Sequence, residues 1–140
     1  MKKFVFSALI CILLCLACSK DDDTTNNNVT GDWFLHKVTG GPDNSDDMLI
    51  DFEVRWLIKN NGSVVINNHN SLENVNTFLP GGTYNYVYDE NTATGECNGT
   101  FTINNIVFDC WNTTETQGTI LTQNVENGYQ LFISRVPGEL

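Results

Sequence analysis

From residue 31 onward, apolar side chains recur at every second position. Ile50, Phe52, Val54, Trp56 and Ile58 alternate with Asp51, Glu53 and Arg55, the spacing that puts one face of a β-strand in a core and the other in water. Tyr84, Tyr86 and Tyr88 share a face in another run, as do Phe101 with Ile103, Ile106 with Phe108, and Tyr129 with Leu131 and Ile133. Turn residues separate the runs at Asn60-Asn61-Gly62, Pro80-Gly81-Gly82, Gly95, Asn104-Asn105 and Asn127-Gly128. The pattern predicts eight strands at 31–39, 48–58, 63–68, 82–88, 97–103, 106–111, 117–124 and 129–136, and no stretch keeps a helical period. Short connections favour antiparallel neighbours. Eight such strands close into an all-β, up-and-down antiparallel barrel that leaves no sheet edge open. A β-sandwich is the competing architecture, but its long inter-sheet disulfide is not matched by two Cys as close in sequence as Cys97 and Cys110.

The N-terminus follows a different rule. Lys2 and Lys3 precede an unbroken apolar run over residues 4–17, the form of a secretory signal peptide and shorter than the ~20 residues of a membrane-crossing helix. Leu16-Ala17-Cys18 resembles the bacterial lipobox, in which cleavage precedes the Cys and its thiol is acylated. Ser19-Lys20-Asp21-Asp22-Asp23 resembles the acidic export signal of lipoproteins that Bacteroidetes-type bacteria carry to the outer face of the outer membrane. The expected organisation is therefore a lipoprotein signal peptide at 1–17, an acylated Cys18 with an acidic and polar tether at 18–30, and one barrel domain at 31–140. The expected location is the outer membrane, held by lipid and facing the cell exterior.

A chain of 140 residues has room for one core once such an address is removed. The formal charge is -10, from 17 acidic and 7 basic side chains. Seven scattered cations do not build the clustered face that displaces counterions from phosphates, so nucleic-acid binding is not expected. The acidic excess instead keeps the domain standing off an anionic lipid surface.

Of the five Cys, Cys11 and Cys15 leave with the signal peptide, Cys18 is the lipid attachment point, and Cys97 and Cys110 remain in a compartment where disulfides persist. A bridge is the expected outcome, since two thiols with no nearby His and no C-x-x-C spacing make a poor zinc site. The intervening residues read as a hairpin turning at Asn104-Asn105, with Ile103 opposite Ile106 and Phe101 opposite Phe108. That register puts Cys110 opposite Gly99 and only diagonal to Cys97, so joining the sulfurs requires local twist or a bulge near Gly99.

Gly31-Asp32-Trp33 at the start of the first strand resembles the G-x-W motif of lipocalins, and Arg135 follows the last strand where that family has a basic residue lying over the Trp. The similarity is to the compact lipocalin-like domains of bacterial surface lipoproteins. It implies that Gly31, Trp33 and Arg135 close one end of the barrel, the Arg stacking on the indole and bonding nearby backbone. Ending at Leu140, the chain leaves no room for the wall-packed helix of larger animal lipocalins.

In an up-and-down barrel the connections at 40–47 and 68–80 share one mouth, opposite the Trp33 end and away from the membrane. If the barrel is hollow, Phe52, Trp56, Tyr84, Tyr86, Phe101 and Phe108 line it, the Tyr hydroxyls supplying polar contacts in an apolar pocket. Simple packing asks for the same residues. Asp43-Asn44-Ser45-Asp46-Asp47 lacks the Gly and Glu of an EF-hand and reads as a solvated turn. His36 and His69 read as structural or surface residues, no metal or cofactor is expected, and no catalytic motif is present. The expected function is non-enzymatic capture of a small apolar or amphipathic ligand. The alternative is an accessory surface lipoprotein with a filled barrel acting through protein or glycan contacts.

Overall fold

The computed structural model describes residues 29–114 and 118–135. The expected signal peptide, Cys18 and most of the tether lie outside the described residues. Ten strands are present among the described residues: β1 (Gly31–Gly40), β2 (Ser45–Met48), β3 (Val54–Ile58), β4 (Ser63–Asn68), β5 (Gly82–Asp89), β6 (Thr100–Ile103), β7 (Ile106–Phe108), β8 (Cys110–Thr114), β9 (Gly118–Thr122) and β10 (Tyr129–Arg135). Among the described residues, helix is confined to one 3-10 turn at Glu90–Thr92.

The strands lie in the order β7-β6-β5-β4-β3-β1-β10-β9-β8, with β2 beside the second half of β1, and all pairs are antiparallel. The two outermost strands are consecutive in sequence, and the seam between them is nearly shut. Asn98 N donates to Trp111 O at 2.8 Å and Trp111 N donates to Gly99 O at 2.9 Å, tying β8 to the residues that enter β6. The fold is an all-β, nearly closed antiparallel barrel.

The strand count is ten rather than eight because two expected strands break. Within 48–58, Leu49 N donates to His36 O and Glu53 N to Ile50 O, which closes a turn with Phe52 at φ 70°. That turn resets the alternation. Leu49 is buried, whereas Ile50 and Phe52 are exposed, before Val54, Trp56 and Ile58 return to the core. The second break is at Asp109. The Asn104-Asn105 hairpin has the register read from the sequence, with both Asn at positive φ, but an extra residue after Phe108 brings Trp111 rather than Cys110 opposite Gly99. The bulge brings the Cα atoms of Cys97 and Cys110 to 5.1 Å, and the disulfide forms.

The inward faces of these strands supply one contiguous apolar core. Two groups of rings dominate it. Trp111 packs edge-on to Trp33 at 5.3 Å and tilted against Phe101 at 5.1 Å, and Phe101 stacks on Tyr86 at 5.4 Å. Phe78 meets Trp56, Phe108 and Tyr129 at 6.4, 5.2 and 5.4 Å. Outside the core, Arg55 forks onto the buried Asp32 carboxylate, with Nε 2.7 Å from Oδ1 and Nη2 on Oδ2.

Candidate functional site: the barrel interior and its long-loop mouth

At the end where the chain enters β1, Trp33 is buried and its Nε1 donates to Val29 O at 2.8 Å. The Arg135 guanidinium carbon lies 4.6 Å from the Trp33 ring centroid, and Nη2 donates to Thr30 O at 3.1 Å. Gly31, at φ 127°, adopts a backbone conformation that side chains disfavour. Arg135, Trp33 and Gly31 thus meet at one end of the barrel.

Of the six residues expected to line a cavity, Trp56, Phe101 and Phe108 are fully buried. Tyr84 and Tyr86 are half-buried and pack against the core. Their phenols are already committed, Tyr84 donating to Pro80 O at 2.9 Å and Tyr86 to Lys59 O at 2.8 Å, while Tyr88 donates to Asn98 O at 2.7 Å. Phe52 does not face the interior. The turn at 51–53 throws it outward, where it is 62% exposed and its ring lies edge-on to Phe34 at 4.9 Å.

The connection between β4 and β5 does more than form a rim. It is held by polar side chains: Asn68 Nδ2 donates to Thr77 Oγ1 and Leu79 O, Phe78 N donates to Asn76 Oδ1, and Asn76 N donates to Asp47 Oδ2 of β2. These bonds turn Phe78, at φ 67°, into the barrel against Trp56, Phe108 and Tyr129. Leu79 is buried beside it. The sequence signal for this plug was an apolar Phe-Leu pair inside an Asn-rich loop.

Trp56 carries the one polar irregularity of this interior. Its indole Nε1 is fully buried and has no hydrogen-bond acceptor, alone in this respect among the buried side-chain polar atoms described. A separate depression of about 410 Å3, lined by Tyr88, Glu90, Thr94 and Cys97 among others, opens at the Trp33 end. Among the described residues, no three His, Cys, Asp or Glu side chains converge as a metal site would require. The Asp43-Asn44-Ser45 segment turns back through Asn44 N donating to Gly41 O.

Burial pushes the Tyr86 phenol above its ordinary value, and burial followed by the nearby Glu90 carboxylate does the same to Tyr88. A raised folded-state value favours the neutral phenol, so the associated stability is present below the unfolded-chain value near 10.0 and is lost as pH rises through the folded value. Near-ultraviolet titration should therefore show the Tyr86 and Tyr88 phenols ionising later in the native protein than in urea. Tyr86 and Tyr88 phenols titrating alike in the native protein and in urea would contradict the packing described.

His36 reads from the sequence as a structural or surface residue, and the fold brings Asp51 and Ser134 to its two ring nitrogens. No spacing in the chain foretells this, since Ser134 enters from the last strand.

No protein-family model matches this chain, and no curated protein or solved structure is significantly similar to it.

Proposed function

We propose that this chain is a lipid-anchored lipoprotein of the bacterial cell surface whose lipocalin-like barrel captures a small apolar or amphipathic molecule in the space that Phe78 fills when no guest is bound. The anchor is supported by Leu16-Ala17-Cys18 and the acidic residues after it. The tether joins β1 beside Trp33, and the β4–β5 connection belongs to the opposite end, so the guest enters from the side facing away from the membrane.

The observation that carries the proposal is the Trp56 indole N–H, buried without an acceptor beneath Phe78. An unpaired buried donor costs about 1–3 kcal/mol. A guest presenting a carbonyl, ether or hydroxyl oxygen relieves that cost, and its apolar part takes over the contacts that Phe78 makes with Phe108 and Tyr129. Phe78 comes from a loop and not from a strand, so displacing it breaks no ladder pairing.

The test is native mass spectrometry of the chain from residue 24, purified without detergent and exposed to a mixed lipid extract. A reproducible adduct is expected, about tenfold more abundant in Phe78→Ala because the competing ring is gone, and reduced in Trp56→Phe. If neither the wild-type chain nor Phe78→Ala retains any adduct, the capture proposal fails. The alternative then stands: an accessory surface lipoprotein with a filled barrel. The observations favouring it are the close packing around Phe78 and the exposed Met48, Ile50 and Phe52 along the broken strand, a surface suited to protein or glycan contacts.

A further inference from the structure

On the outer wall, where β1 lies beside β10, three side chains from distant parts of the chain form a connected line. His36 is the extra residue of a β-bulge: Leu35 is opposite Ile133 and Lys37 is opposite Phe132, which leaves His36 with no partner in the register. Bulges of this kind re-aim a side chain. Here the imidazole Nδ1 lies 2.7 Å from Asp51 Oδ1, and Nε2 lies 2.5 Å from Ser134 Oγ. The turn that expels Phe52 also sets Asp51 in place, and Leu49 N donating to His36 O ties that turn to the bulge.

With the imidazole neutral, the chemistry of the three groups sets the direction of the protons. The Asp51 carboxylate only accepts, so Nδ1 carries the imidazole proton. Nε2 of the neutral ring is then an acceptor, and the Ser134 hydroxyl must donate to it. A hydroxyl donating to an imidazole whose other nitrogen is held by a carboxylate is the arrangement that activates a serine nucleophile. The site is open to reagents, since His36 and Ser134 are half-exposed and Asp51 is exposed. Phe34, opposite Ser134 across the β1–β10 ladder, carries the exposed Phe52 ring against it, an apolar ledge beside the hydroxyl. On the other flank Gly118 presents no side chain, and a Cβ there would come within 3.0 Å of Ser134 Cβ.

We propose that Ser134, His36 and Asp51 form a nucleophilic site that cleaves small carboxylic esters, the acyl chain lying on Phe34 and Phe52. Ser134 Oγ attacks the ester carbonyl carbon while His36 Nε2 takes the hydroxyl proton. The carbonyl carbon to alkoxy oxygen bond breaks, and the alcohol leaves with that proton. Water then attacks the acyl-Ser134 carbonyl, giving its proton to His36. The carboxylic acid departs as Ser134 recovers its hydroxyl, so one ester and one water yield one acid and one alcohol. Ser134 and His36 are the catalytic residues, and Asp51 is a positioning residue. This inference concerns the outer wall and is independent of the barrel interior.

The test uses the full chain with a fluorophosphonate probe and p-nitrophenyl butyrate. Peptide mapping is expected to place the phosphonyl adduct on Ser134, with none after denaturation in urea. His36→Gln is expected to slow both labelling and ester turnover at least ~100-fold. Asp51→Asn should lower kcat while leaving KM unchanged, a split that loss of a merely structural contact does not produce. Phe52→Ala should raise KM. Circular dichroism establishes that each variant is folded. Absence of an adduct on Ser134 in the folded wild-type chain, or wild-type turnover no faster than that of Ser134→Ala, overturns the proposal.

Discussion

Trp33→Ala is expected to remove about 4 kcal/mol of unfolding free energy, within the range for deleting a buried Trp side chain. Three losses combine. The indole is buried against the edge of Trp111, its Nε1 donates to Val29 O, and the Arg135 guanidinium lies over its face. The cation–π contact alone is worth about 0.5–2 kcal/mol. Against the 5–15 kcal/mol that typically holds a domain together, a loss of this size leaves a marginal fold, with a melting temperature roughly 20 °C lower for a domain of about 100 residues. Urea unfolding followed by circular dichroism measures it. Trp33→Phe keeps most of the burial but not the N–H, and should cost about half as much. A Trp33→Ala loss below about 1 kcal/mol would show that this end of the barrel is not held by the indole.

Opening the Cys97–Cys110 bridge is the second large effect. Loop-closure entropy for a cross-link of this span predicts a loss of about 3 kcal/mol, and the location makes the loss structural as well. The bridge encloses the β6–β7 hairpin and sits at the seam where β8 meets the entry to β6. Gly99 lies in the same seam at φ 154°, packed so tightly that a Cβ would come 2.5 Å from Asp89 O. No larger residue at that position could compensate for the lost bridge. Thermal unfolding with and without reductant should differ by roughly 15 °C, and a Cys97→Ala/Cys110→Ala variant should match the reduced protein. Coincident melting curves would mean that the backbone bonds of Asn98, Gly99 and Trp111 close the seam unaided.

The all-β class and most strand positions were legible because two-residue periodicity is a local property. Ile103 opposite Ile106 and Phe101 opposite Phe108 follow from a two-residue Asn turn, and the structure has that register. Phe52 shows where local reading stops. Its alternation with Val54 and Trp56 is unbroken in sequence, but a turn closed by Glu53 N and Ile50 O reverses the direction of its side chain. Periodicity carries no mark of such a break when the residues on both sides keep the same parity. The Phe78 plug was hidden for a related reason: loop residues have no period to betray which of them turns inward. The line from Asp51 through His36 to Ser134 depends on a bulge in β1 and on β10 lying against it, two facts of long-range pairing.

The side-by-side placement of β1 and β10, with Trp33 opposite Arg135, has a consequence for biogenesis. A polypeptide synthesised from its amino terminus delivers β1 first and β10 last. Until Tyr129–Arg135 has emerged, β1 presents a bare rim and the indole has no cation above it. Such distant closure belongs to the slow regime of folding, milliseconds to seconds. Chains truncated before residue 129 therefore remain open-edged, and unpaired rims of this kind recruit other chains. Completion of the chain, and not collapse of the early strands, sets the moment at which this protein becomes safe from aggregation.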